Sequence, residues 1–301
     1  MVLEADFKQL KSKRKNDDYQ PARLSYVDIH GQAHDLEIKV RPRGNMRRAT
    51  CDIPPMKIKF PNSSGDSKTL KLVNICKESD LYEQLLLREY AAYRLYNILT
   101  EQSLQVLLVK MKFVDKNGKD APRESFAFFI EHQAEVAKRG KGEVLEQNII
   151  SRRMLNTDEY ERLCIFQFMI GNTDWLVYTG HNLKVFGIKG DVKLIYVPYD
   201  FDYAGLVNAP YAVPDERLKL PHITNRYYMG FCRPKEKTIE SIQLFLDKKE
   251  EIMRFCEEFP HFDNSSRKHV LKYTGSFFDI IENPKKYKAH ILKHCDRWPN
   301  P

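Results

Sequence analysis

Residues 171–203 read GNTDWLVYTGHNLKVF and, after a short gap, KLIYVPYDFDY. They carry Asp174, His181, Asn182, Asp200 and Asp202. Asn182, Asp200 and Asp202 offer hard oxygen atoms. Such donors suit Mg²⁺, which takes one or two carboxylates and leaves its other positions to phosphate oxygens and water. Asp174 precedes them in a polar loop, where a carboxylate has the chemistry to accept a proton from a hydroxyl nucleophile. A loop Asp as base, an Asn downstream on one Mg²⁺ and an Asp beyond a hairpin on the other is a constellation for phosphoryl transfer. Singly, each of these residues is ordinary turn material, because Asn and Asp dominate turns. The ordered set is what departs from chance.

The elements around them must bring the set together. NTDEYERLCIFQFMIGN begins with an N-cap residue and reads as an amphipathic helix ending at Gly171. NLKVFGI and VKLIYVPYD read as two short strands. If they pair, Asn182 and the two later carboxylates converge at one end of the hairpin. Residues 236–259 predict one long helix with Ile239, Ile242, Phe245, Leu246, Ile252, Phe255 and Phe259 on its apolar side. Two more helices are expected over 264–282 and 284–297.

The first half has a different texture. Its first twenty residues are charged and predict a helical start. ARLSYVDIHG, HDLEIKVRPRG, MKIKF and TLKLVN alternate like strands, with HG and SSGD as turns, so an antiparallel meander is expected over 22–75. A helix over 79–100, capped by Ser79 or Asp80, follows it. QVLLVKMKFVD and ESFAFFIEH then read as strands around the turn KNGKDAP. The fold class expected is α+β and bilobal, like an atypical protein kinase. Its β-rich N-lobe with one long helix would occupy 1–132, and a mainly helical C-lobe 133–301. Within the first lobe, Lys71 lies mid-strand just before a helix carrying Glu83 and Glu89. A strand lysine with a helix glutamate is how kinases hold nucleotide phosphates, although a mid-strand lysine is more often simply solvent-facing. Lys57 and Lys59 are weaker competitors. VRPRGNMRR adds a glycine turn with four arginines, whose N–H groups and guanidinium forks suit phosphate oxygens. It matches neither GxGxxG nor a Walker A loop.

The chain has 301 residues, 42% of them apolar, and a formal net charge of +8. That balance favours anionic partners: nucleic acid, anionic lipid or phosphate. NRYYMGFCRPKEK is basic with interleaved aromatics, yet no nucleic-acid-binding motif is present, so that class ranks last. No apolar run approaches the length of a membrane span, and the first residues lack the apolar core of a signal peptide. The six cysteines include no CxxC, which disfavours a zinc ribbon. Cys164 and Cys256 read as small core residues. Cys51 and Cys76 flank two strands, and would pair in an exported protein or stay as free buried thiols.

FQFMIGNTDW…HNLKVF…KLIYVPYDFDYAG resembles the catalytic segment of the CotH (spore coat protein H) kinase-like family. More distantly it resembles the HipA-type kinases, which carry a GN-x-D…N loop followed by YD. LKLVN…LLLREYAAYRL is similar to the strand-lysine and helix-glutamate pair of the HipA type, and RPRGN before KIKF to the RGN turn of the CotH type. The likeness spans residues 36–205. It implies Asp174 as catalytic base, Asn182 and Asp200 on Mg²⁺, and Asp202 as a second candidate ligand. It further implies Lys71 on the phosphates of ATP, Glu89 paired with Lys71, and Gly44 and Asn45 on a phosphate-covering turn. The acceptor would be a protein or small-molecule hydroxyl, and the compartment the cell envelope or, for a secreted protein, outside the cell. Here Asn182 stands eight positions after Asp174, further than is usual in kinases, and Trp175 and Leu176 replace the usual residues after the Asp. These departures carry the alternative expectation, an inactive pseudokinase or a nucleotide- or partner-binding module.

Overall fold

The computed structural model describes residues 1–12, 16–44, 46–61, 68–145 and 154–295. The alternating segments of the first half form strands, and those strands close on themselves. They are β1 (Val2–Ala5), β2 (Gln20–Val27), β3 (Ala33–Pro42), β4 (Met56–Lys59), β5 (Thr69–Asn74), β6 (Val106–Asp115) and β7 (Arg123–Ile130). The lateral order is β1-β2-β3-β4-β5-β7-β6 in a closed barrel. All neighbours are antiparallel except the closing pair, where β1 runs parallel to β6 with Leu3 opposite Phe113. Inward positions alternate along each strand: Leu3 and Ala5 on β1, Ile38 and Val40 on β3, Met56 and Ile58 on β4, Met111 and Phe113 on β6 form one buried core. Helices α1 (Phe7–Ser12) and α2 (Met46–Thr50) interrupt the strands.

This corrects the expected bilobal protein-kinase-like fold. The N-terminal portion is a closed mixed seven-stranded barrel, and the second half adds a three-stranded sheet to its helices. Of the first twenty residues, expected to begin as helix, Val2–Ala5 are the strand that closes the barrel and Phe7–Ser12 are the helix α1. Leu3 and Ala5 are buried while Val2 and Glu4 are not, a period of two that four residues are too few to announce. Closure also removes the exposed strand edges that an open meander would carry.

Helix α3 (Asp80–Leu99) follows β5, its first turn capped by Ser79, whose hydroxyl accepts from the Tyr82 N–H at 3.4 Å. The chain divides into two compact units, Met1–Leu86 with Gln105–His132, and Leu87–Leu104 with Gln133–Pro301. The division therefore falls inside α3.

The second unit continues with α4 (Gln133–Arg139), β8 (Gly142–Leu145), α5 (Thr157–Ile170), β9 (Leu183–Ile188) and β10 (Leu194–Pro198). The expected hairpin is present as β9 and β10, and β8 pairs antiparallel with β9 to widen it. The single helix expected over 236–259 is two, α6 (Lys235–Asp247) and α7 (Lys249–Glu258), broken at Lys248. Their buried residues, Thr238, Ile242 and Phe245, then Ile252 and Cys256, keep a helical spacing across the break, so periodicity gave no sign of it. α8 (Asn264–Ile281) stands where expected, and α9 (Pro284–Tyr287) runs into a π-helical turn over Lys288–Leu292. The SSGD turn, Asn45 and the end of the last expected helix lie outside the described residues.

Two disulfides cross the chain, Cys51–Cys76 and Cys232–Cys295. Cys164 and Cys256 are buried free thiols, and burial pushes that of Cys256 up to about 12. Among the described residues, no helix is long and apolar enough to cross a membrane.

Candidate active site

The site begins where α5 ends. Asn156 caps its N-terminus, accepting from the Glu159 N–H at 3.2 Å. Gly171 ends it in the left-handed conformation at φ 64°. A Cβ at Gly171 would run into the Tyr273 hydroxyl, so both backbone and packing call for glycine there. The chain then turns into the polar loop. Asn172 is buried, and its Oδ1 accepts the Asp174 N–H at 3.0 Å.

The long spacing between Asp174 and Asn182 has a structural cause. Leu176 and His181 exchange both backbone hydrogen bonds, at 3.1 and 3.0 Å, across a turn with Gly180 at φ 66°. The buried side chains of Trp175 and Val177 anchor this small loop. The six residues LVYTGH thus fold back on themselves and return His181 and Asn182 to the side of Asp174. His181 Nε2–H donates to Asp174 Oδ1 at 2.9 Å. Asn182 Nδ2 donates to Asp174 Oδ2 at 2.9 Å and to its main-chain oxygen at 2.8 Å. Both carboxylate oxygens accept, so the side chain is held in one orientation. A carboxylate has about four lone-pair sites, which leaves it capacity to receive a further proton donor.

The β9–β10 pairing then delivers Asp200. Leu183 stands opposite Pro198, and the Tyr199 N–H donates to the Asn182 carbonyl at 3.0 Å. Asp200 is the next residue. Asn182 and Asp200 both adopt left-handed backbone, at φ 53° and 65°, which Asn and Asp tolerate better than other side chains. The Asp200 N–H donates to the Tyr93 hydroxyl of α3 at 2.9 Å, and Phe201 packs edge-on against the Tyr93 ring. Asp202 is buried and its Oδ2 accepts from the Tyr211 hydroxyl at 3.2 Å. The loop beyond is pinned to the end of α5, with Gly205 and Leu206 N–H groups donating to the Gly171 and Ile170 carbonyls. His269 Nε2–H and Arg88 Nη1 donate to the Leu206 and Val207 carbonyls.

The fold therefore brings Asp174 and Asn182 into contact and sets Asp200 at the same end of the hairpin. Among the described residues, no group of three or more His, Cys, Asp or Glu gathers as a metal cage. The donors present, the Asn182 amide oxygen and the Asp200 carboxylate with Asp202 nearby in sequence, fit a cation that takes its remaining ligands from phosphate oxygens. With Asn182 Nδ2 committed to Asp174, Oδ1 is the atom of that side chain suited to a cation.

The other expected site residues belong elsewhere in the chain. Lys71 lies on β5, in register with Lys57 on β4 and Ile130 on β7. Gly44 precedes α2 at φ 81°. Asn45 lies outside the described residues. The two helix glutamates separate. Glu83 Oε1 accepts the Phe126 N–H at 2.8 Å and so serves β7, while Glu89 is buried on the part of α3 assigned to the second unit. Asn172 reads in the sequence only as a turn cap, and Tyr93 only as part of the apolar stripe of its helix. Asn172 stood in plain view beside the helix end, whereas Tyr93 reaches Asp200 over 107 positions with no local signal.

No family model matches the sequence, and no curated protein matches it. The chain is similar to the solved structure of a Helicobacter pylori proinflammatory kinase, CtkA, with a TM-score of 0.42 and 10% identity over 80% of this chain and 90% of that one. Two chains this far apart need share no chemistry.

Proposed function

We propose that this chain is an atypical ATP-dependent phosphotransferase, acting on a protein or small-molecule hydroxyl. The observation that carries the reading is the Asp174 carboxylate, gripped on both oxygens by His181 and Asn182, at the end of the hairpin where Asp200 emerges. In this reading Asp174 accepts the acceptor hydroxyl's hydrogen bond, orients its oxygen and takes its proton as that oxygen bonds to the γ-phosphorus, while the bond from the γ-phosphorus to the β–γ bridging oxygen breaks and ADP leaves. Asn182 and Asp200 would hold Mg²⁺, with Asp202 as the second candidate ligand. The cation would offset charge on the phosphates when bound. Lys71 is assigned to the nucleotide phosphates, Glu89 to orienting it, and Gly44 and Asn45 to the covering turn, as in the CotH-like and HipA-type kinases that the motifs resemble.

Titration calorimetry with ATP, with and without Mg²⁺, tests the reading. The clean variant at position 200 is Asp200→Asn, because Asn tolerates φ 65° and Ala does not. Metal-dependent binding that is lost in Asp200→Asn supports the assignment. Asp174→Asn should then keep binding and lose turnover by about 10²-fold or more. Binding indifferent to Mg²⁺ and to Asp200 overturns it. Nucleotide-dependent thermal stabilisation without transfer to any hydroxyl identifies the pseudokinase alternative instead.

A further inference from the structure

The outward face of the barrel carries cations in register. Arg41 on β3 stands opposite Lys57 on β4, Lys57 opposite Lys71 on β5, and one step along the face Lys39 stands opposite Lys59. Like charges directly opposite one another on paired strands are destabilising. At its β3 side, two guanidinium groups close on one oxygen. Asp17 Oδ1 lies 2.8 Å from Arg41 Nη1 and 2.9 Å from Arg48 Nη1. Arg48 Nη2 also donates to the Asn16 carbonyl at 2.5 Å. The Tyr19 ring lies beside both the Arg41 guanidinium and the Lys59 ammonium, 5.5 and 5.9 Å from its centroid. The arginine side chains are only 20% and 17% exposed, whereas that of Asp17 is 68% exposed. Among the described residues, Arg48 Nε is buried with no acceptor.

We propose that Arg41 and Arg48, flanked by Lys57 and Lys59, form a binding site for the phosphoryl oxygens of a polyphosphate, and that Asp17 occupies it as the chain's own competing anion. The proposal rests on the functional reading above and deepens it, naming side chains that hold the phosphates and a residue that resists their entry. Asp17 brings one charge and two oxygens to forks that offer more donors than it can use. A phosphoryl group brings three acceptor oxygens and more charge, and guanidinium forks match its geometry. Because Asp17 is exposed, its pairing is worth little, and a stronger anion displaces it.

The test uses inorganic tripolyphosphate in the presence of EDTA, followed by calorimetry on the full chain. The wild type should bind it. Asp17→Asn should tighten binding by about threefold, since an exposed ion pair is worth a fraction of a kcal/mol to about one. Asp18→Asn makes the same change in net charge, and Asp18 pairs with neither arginine among the described residues, so it should leave binding as it is. Arg41→Gln and Arg48→Gln should each weaken binding by about tenfold or more. Asp200→Asn should bind tripolyphosphate like the wild type, and a wild type that binds tripolyphosphate but shows no Mg²⁺-dependent ATP binding would strike the nucleotide reading alone. Absence of tripolyphosphate binding, arginine variants that bind as the wild type does, or equal tightening by Asp17→Asn and Asp18→Asn overturns the proposal. If an arginine variant does not fold, the comparison of the two aspartate variants decides it.

Discussion

Asp200 hangs from Tyr93: its backbone N–H donates to the phenol oxygen at 2.9 Å, and the phenol belongs to a buried ring on α3. The bond fixes the left-handed residue on which the proposed cation site turns. Tyr93→Phe keeps the ring against Phe201 and strands the amide. A stability loss of about 1–2 kcal/mol is expected, read as a lower denaturation midpoint at constant slope. Mg²⁺-dependent ATP binding should weaken along with it. An unchanged midpoint and unchanged affinity would show that this hydrogen bond positions nothing.

Asn182 offers a pair of variants that separate backbone from side chain. Asn182→Gly keeps the φ 53° backbone comfortable and removes both donations to Asp174. Asn182→Asp sets a carboxylate where a donor faced Asp174. The like charge repels the Asp174 carboxylate. Turnover is therefore expected to fall in both variants, and further in Asn182→Asp. Turnover equal to the wild type's in both would remove Asn182 from any control of Asp174.

His269 should write a pH dependence into stability. Burial and the neighbouring Arg88 hold its imidazole below the ordinary value of 6.5, while its Nε2–H donates to the Leu206 carbonyl. The folded state thus resists protonation more than the unfolded chain does. Its contribution is full above pH 6.5 and is lost as pH falls from there through the folded pKa. His269→Gln should flatten the stability curve in that window. Denaturation midpoints measured in steps from pH 7.5 to pH 5.5, a range set by about one unit either side of the free imidazole value, decide it.

The two disulfides should be measurable as mass and as stability. The oxidised chain should be lighter than the reduced one by the hydrogens of two bridges. Closing loops of 25 and 63 residues constrains the unfolded chain by about 3–4 kcal/mol each on the chain-entropy account. A reductant should lower the melting temperature, and Cys51→Ala with Cys76→Ala should reproduce part of that loss. Equal melting temperatures with and without reductant would mean that the pairs do not form in solution.

What the sequence disclosed followed the reach of its signals. α5 was bounded by a cap and a glycine, and β9 and β10 by alternation, so the frame around Asp174 was readable from local chemistry. The barrel was not. Its closure depends on Val2–Ala5 pairing with residues more than a hundred positions away, and four residues have no periodicity of their own to display. The break at Lys248 was equally silent, because α6 and α7 bury one continuous helical stripe. The fold-back of LVYTGH looked like an excess of residues until Leu176 met His181. The expected turn of four arginines gave no hint of Asp17, whose role is visible only once residues 16–19 lie over β3 and α2.

The division of the chain inside α3 bears on how the protein can be taken apart. The polypeptide passes from one unit to the other between Leu86 and Leu87, between Leu104 and Gln105, and between His132 and Gln133. A fragment ending at His132 would look like a natural cut in the sequence. It would nonetheless carry Leu87, Ala91, Ala92, Leu95 and Tyr96, all buried in the whole chain, stripped of the unit to which they belong. Such a fragment invites aggregation through its own helix. Dissection of this protein is therefore better done by point substitution than by truncation.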